Sequence, residues 1–152
     1  MMVKIYSEEH FRKNKFKESS TNKFKHINKT VMITEINNLP ANMVGFRATG
    51  EVTENDFDNT VIPKVKELVS ATDTLNYMLV LDTSVKNFTA GAWFKDAVMG
   101  IKKLTKWNRA AIVSDVQGVK IFTDIFSVLM PGEFKVFEHK DQQLAVDWVS
   151  GK

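Results

Sequence analysis

The residues of this chain that could do chemistry are few and widely spaced. Asp82 follows the apolar run Tyr77-Met78-Leu79-Val80-Leu81, and Asp115 follows Arg109-Ala110-Ala111-Ile112-Val113-Ser114. A carboxylate closing an apolar strand stands at the carboxyl edge of an α/β sheet, where acid/base work and ligand binding collect. The plainer role of an Asp there is to end the strand and cap the next loop or helix, and the sequence favours it. Ser84 and Thr89 lie just beyond Asp82; either hydroxyl could accept phosphate, and Thr89 is also placed to N-cap a helix. His10, His26 and His139 lack metal-ligand spacing with one another or with a carboxylate pair, which points to solvated rings and no metal site. No Gly-x-Gly-x-x-Gly, Gly-x-x-x-x-Gly-Lys-Ser/Thr or Gly-x-Ser-x-Gly sequence occurs. With no cysteine, a disulfide framework, a thiolate metal site and a cysteine nucleophile are excluded. The residues indicate neither an enzyme nor a bound cofactor.

The elements that must position these residues can be read from hydrophobic patterning. Val31–Ile36 and Met43–Thr49 read as two strands joined by the turn Asn37-Asn38-Leu39-Pro40-Ala41-Asn42, an antiparallel pair. Thr53 followed three residues later by Asp56 is a capping pattern, and a helix with Phe57, Val61, Val65, Leu68 and Val69 inward should begin there. Pro63 falls inside it and should kink or divide it. The run Tyr77–Leu81 is continuous, the pattern of a strand buried on both faces. A helix is expected over 90–105, a turn at Trp107-Asn108, a strand over 109–114, a helix over 117–130, a strand over 133–138 and a last helix over 141–148. Strands alternating with helices after an initial hairpin imply an α/β fold with a mixed sheet.

At 152 residues the expectation is one domain with an ordinary soluble composition, 43% hydrophobic and 26% charged. No apolar run approaches the roughly 20 residues that span a bilayer, and no apolar stretch follows the N-terminal charges as in a secretory signal; a cytoplasmic protein is expected. The net charge of +3 is unevenly placed. Residues 1–30 hold eight Lys/Arg against three Glu, and the rest of the chain holds 13 basic against 15 acidic residues. Phe11, Phe16 and Phe24 are interleaved with the lysines, a pattern able to meet an anionic membrane surface or single-stranded nucleic acid. Its periodicity is poor, so residues 1–31 read as a basic, poorly ordered extension, with nucleic acid not expected as a partner, and residues 32–152 as the domain.

Both inner helices are more apolar than one sheet face requires. Over 117–130, Lys120, Thr123, Asp124 and Ser127 fill a polar wedge roughly 100° wide, and Val119, Ile121, Phe122, Ile125, Phe126, Val128, Leu129 and Met130 occupy the rest. Over 90–105, Phe94 and Val98 widen the Trp93–Ala97–Ile101 stripe. The surplus must meet a neighbouring helix, a second subunit, or a lipid-like ligand. Trp93, Phe94, Ala97, Phe122, Phe126 and Met130 are the candidate lining of such a ligand site.

The run from Met32 to Gly151 resembles the SpoIIAA-like group, also described as STAS/CRAL-TRIO-like domain proteins. The resemblance rests on Leu39-Pro40…Val44-Gly45-Phe46, Gly50-Glu51-Val52-Thr53…Asp56-Phe57, Ile62-Pro63, Phe88-Thr89-Ala90-Gly91-Ala92-Trp93-Phe94-Lys95-Asp96, Trp107…Arg109–Asp115, Met130-Pro131-Gly132-Glu133…Val136-Phe137 and Ala145…Trp148-Val149. It implies a STAS-type fold, a mixed sheet of four to five strands with helices packed mainly on one face. Anti-sigma-factor antagonists of this superfamily are switched by phosphorylation of a Ser in an Asp-Ser-Ser-Gly loop. The matching positions here, Phe88-Thr89-Ala90-Gly91, carry no serine, which leaves Thr89 or the nearby Ser84 for that role. The likeness to CRAL-TRIO domains implies instead an apolar ligand held between helices.

Two functions are therefore expected. The first is a non-enzymatic module binding a lipid-like or other hydrophobic small molecule, with a homodimer or peripheral membrane contact as further uses of the apolar surface. The alternative is a protein-interaction switch of the anti-sigma-factor-antagonist type.

Overall fold

The computed structural model describes residues 32–84, 96–97, 100, 106–126 and 132–152, and Met32–Lys152 form one compact unit. Along the chain come β1 (Ile33–Glu35), β2 (Val44–Ala48), α1 (Glu54–Thr72), β3 (Thr74–Leu81), β4 (Lys106–Ser114), α2 (Val116–Phe126), β5 (Glu133–Glu138), a 3₁₀ turn (His139–Asp141) and α3 (Gln142–Ser150). The backbone is also helical at Asp96, Ala97 and Gly100, inside the helix expected over 90–105.

The expected hairpin is present: β1 pairs antiparallel with β2, Ile33 opposite Ala48. The remaining pairs are parallel, and the sheet order is β1-β2-β3-β4-β5. Each crossover from β2 to β5 therefore steps the same way across the sheet. Right-handed crossovers repeated in one direction place their helices on one face. α1, Ala97 and Ile121 of α2 accordingly pack on a front core built from Phe46, Leu75, Tyr77, Leu79 and Leu81. Beyond β5 there is no further strand to reach, and α3 folds onto the back face, where Ala145, Val146 and Val149 cover Met78, Val80, Ala111 and Val113. This is the mixed α/β sheet with helices mainly on one face that the sequence implies.

α1 starts where the capping pattern places it. Thr53 accepts from the Asp56 amide at 3.2 Å, and the Asp56 carboxylate accepts from the Thr53 amide at 3.1 Å. Its inward residues Phe57, Val61, Val65 and Leu68 are buried, each contributing roughly 2 kcal/mol of apolar burial. Pro63 does not divide the helix, which runs unbroken to Thr72. Both Pro63 and Asn59, whose carbonyl loses its helical partner, are exposed, so water can take up that carbonyl.

β3 begins at Thr74, three residues before the apolar run, and is buried from Leu75 to Leu81. The expected turn at Trp107-Asn108 is instead strand. The β3–β4 register shifts so that Leu75 opposes Trp107 while Asn76 opposes Arg109, which leaves Asn108 as the extra residue of a bulge. The bulge brings the exposed Asn108 of β4 onto Asn76, a buried polar residue of β3: Asn108 donates to Asn76 at 2.9 Å, and Asn76 donates to the Asn42 carbonyl at 2.9 Å.

Candidate functional site

At the carboxyl edge of the sheet the chain brings together residues far apart in sequence. Arg47 lies next to the end of β2, in register with Val80, and Asp82 directly follows β3. Arg47 forms an ion pair with Asp82, and its other terminal nitrogen donates to Gln142 Oε1 of α3 at 3.2 Å. From the far side, His139 in the 3₁₀ turn reaches across the end of β4. Its Nε2 lies 2.8 Å from the Leu81 carbonyl and 3.1 Å from Asp82 Oδ1. A carbonyl oxygen only accepts, so Nε2 is the nitrogen that donates here. Asp82 thus has one oxygen on Arg47 and the other on His139. Glu138, at the end of β5, pairs with Lys140 at 3.0 Å and holds its ammonium above the ordinary lysine range.

Asp115 takes the capping role that the sequence favours: its Oδ1 accepts from the Gly118 amide at 2.7 Å in the first turn of α2. Gly118 is needed there for space, because a Cβ would stand 2.0 Å from Ser114 Oγ. His139 is exposed, as expected, but its ring is also anchored, because the turn after β5 crosses the carboxyl edge and meets the Leu81 carbonyl. The crevice expected beyond the strand ends does not open at a reversal of strand order, since the four parallel strands follow one another without reversing.

The candidate residues fare unevenly. Ser84 is exposed two positions beyond Asp82. Ala97 is half-buried against the front core. Phe122 and Phe126 belong to α2, which is described there by its backbone. Trp93, Phe94, Met130 and Thr89 lie outside the described residues, as do His10 and His26. Among the described residues no three His, Asp or Glu side chains gather as a metal site, and no helix is long and apolar enough to cross a membrane. A groove of about 510 Å³ runs beside α3, lined by Ile36, Leu39, Pro40, Gln142, Gln143 and Val146 among others. Its volume suits a small ligand, but its walls are loop amides and helix-surface groups, not the expected apolar lining.

Sequence reasoning missed Arg47 and His139. The only signal for Arg47 is a single cation inside the apolar run Met43–Ala48. His139 has no local signal, since its partners lie 58 and 57 positions away.

This sheet order, with helices on the front and one closing helix on the back, is that of a STAS-type α/β domain. The SpoIIAA-like family model matches residues 43–150, which takes in every element from β2 to α3, and the chain belongs to that family. The CRAL-TRIO part of the resemblance has no counterpart in this match. No curated protein and no solved structure matches the chain.

Proposed function

We propose that this protein is a non-enzymatic, cytoplasmic regulatory module that binds a partner protein at the carboxyl edge of its sheet, in the manner of anti-sigma-factor antagonists. The observation that carries the reading is the exposed Ser84 beside a pinned strand end. Asp82 is held by Arg47 and His139, so the segment containing Ser84 leaves the sheet from a fixed point. Phosphate on Ser84 would add nearly two negative charges beside Asp82 and compete with it for Arg47, altering the surface a partner meets. Thr89, further along the same segment, is the second candidate acceptor. The non-enzymatic reading has support in the same geometry. Both oxygens of Asp82 are engaged, and Asp115 caps α2, which commits the two strand-end carboxylates to structure.

The test is crosslinking from a photoreactive residue placed at position 84, with position 66 on the exposed side of α1 as the control. Capture of a defined protein from position 84 alone, competed away by excess untagged parent chain but not by excess untagged Ser84→Glu chain, is the expected result. Equal capture from both positions, or indifference to the acidic substitution, removes the switch.

The second reading is a carrier of an apolar small molecule, with Trp93, Phe94, Ala97, Phe122, Phe126 and Met130 about the ligand. One observation favours it: the indole N–H of Trp107, on the same front face as Ala97, is buried with no acceptor. Organic extraction of the purified full chain tests it, since a carrier should release a stoichiometric apolar compound.

A further inference from the structure

Two buried polar side-chain atoms among the described residues have no hydrogen-bond partner, Ser114 Oγ and Trp107 Nε1. They differ in their surroundings. Ser114 Oγ is pressed against Gly118, where even a Cβ would approach to 2.0 Å, so nothing can be added between them. Trp107 is half-buried at the start of β4, on the front face at the amino edge of the sheet. Its ring meets Tyr77 edge-on at 6.0 Å, and Tyr77 in turn packs on Phe46 at 5.7 Å. Gly132 closes on its backbone, since a Cβ there would stand 2.8 Å from the Trp107 carbonyl. The strand therefore fixes the indole, and the ring cannot swing its N–H to water without leaving the aromatic row.

We propose that Trp107 Nε1–H is the polar handle of a binding site for a neutral apolar molecule that carries one acceptor oxygen, such as a ketone, quinone or ester. An indole N–H only donates, so the ligand must bring the acceptor. The groups packed about the indole are aromatic and aliphatic, with Tyr77 and Phe46 in the same row, so the remainder of the ligand must be apolar. A neutral acceptor is required because this face disfavours charge; burial pushes the Tyr77 phenol well above the ordinary tyrosine range. A buried donor without a partner is unusual in a folded protein and calls for such an explanation, while the polar residues on the other side of the same edge, Asn76 and Asn108, are satisfied within the chain. This rests on the carrier reading and sharpens it to one donor and one ligand class.

The probes are acetophenone and its acceptor-free counterpart ethylbenzene, titrated into the ¹⁵N-labelled full chain. The chain has three tryptophans, and Trp107→Phe identifies the relevant indole signal. Acetophenone should move that signal downfield along a saturable curve, and ethylbenzene should not. Trp107→Phe should weaken acetophenone roughly fivefold, the value of one net hydrogen bond, and leave ethylbenzene unchanged. An indole signal unmoved by acetophenone at saturation overturns the proposal and leaves an internal water as the partner of the N–H, whether or not Trp107→Phe folds. If both probes bind while the Trp107 signal stays still, the carrier reading survives without Trp107. If neither binds and extraction releases nothing, both fall.

Discussion

At the carboxyl edge Asp82 joins Arg47 to His139 and Asp115 takes the Gly118 amide, whereas at the front of the amino edge Trp107 buries a donor that nothing accepts. The charged pair of the one and the indole of the other differ in how water reaches them, while the carboxyl edge's own buried orphan, Ser114 Oγ, is closed off by Gly118. Arg47 and Asp82 have side chains about one third exposed, so their charges remain partly hydrated and a local partner suffices. The indole nitrogen is cut off from solvent, and only a group that enters beside it can satisfy it. Satisfied charge at an edge reads as architecture that presents Ser84; an unsatisfied buried donor reads as a place for a ligand.

Three substitutions put that contrast at risk. The largest effect is expected at the carboxyl edge, where Gly118→Ala would drive a methyl into Ser114. A loss of about 2–3 kcal/mol in denaturant unfolding is expected from such overpacking. Adding Ser114→Ala should recover part of it, since the nearest atom, Oγ at 2.0 Å, is then gone. No recovery in the double variant would mean that the first turn of α2 is constrained by something other than this contact.

The amino edge should reveal itself in alkali. Tyr77 is neutral in folded and unfolded chains below the ordinary phenol value of about 10. Above it the unfolded chain loses the proton and the buried phenol keeps it, so the folded state binds more protons and stability falls as pH rises. Tyr77→Phe removes that linkage, and its unfolding midpoint should decline less steeply than that of the parent as pH rises above the ordinary phenol value of about 10. Parallel declines would show that the phenol ionises as readily in the fold as out of it.

The smallest effect is expected for Asp82→Asn. The pair with Arg47 is part-exposed, so the loss should stay below about 1 kcal/mol and shrink further in high salt. His139 Nε2 would retain the Leu81 carbonyl. A loss of several kcal/mol would show that the carboxyl edge is as closed to water as the amino edge, and the distinction between the two would disappear.

Much of the fold is legible in the chain. The hairpin, the Thr53–Asp56 cap, the buried run ending at Leu81 and the alternating β5 all depend on neighbours within a few residues, and local patterning reports such neighbours directly. Trp107-Asn108 reads as a turn because a bulge interrupts the strand period there, and one polar residue between an aromatic and an arginine looks the same in either case. Pro63 reads as a helix breaker, but its effect depends on whether the freed carbonyl faces water, which only the orientation of α1 on the sheet reveals.

By itself the sequence determined most of the described strands and helices and the start of α1, because those outcomes depend on side-chain period and on capping within one turn. Only the tertiary structure decided that Arg47 meets both Asp82 and Gln142, 35 and 95 positions away, and that His139 meets Leu81. Those meetings depend on strand order and on the return of the chain across the carboxyl edge to the back face. The repeated right-handed crossovers set the first, and the end of the sheet at β5 leaves α3 free to take the uncovered face.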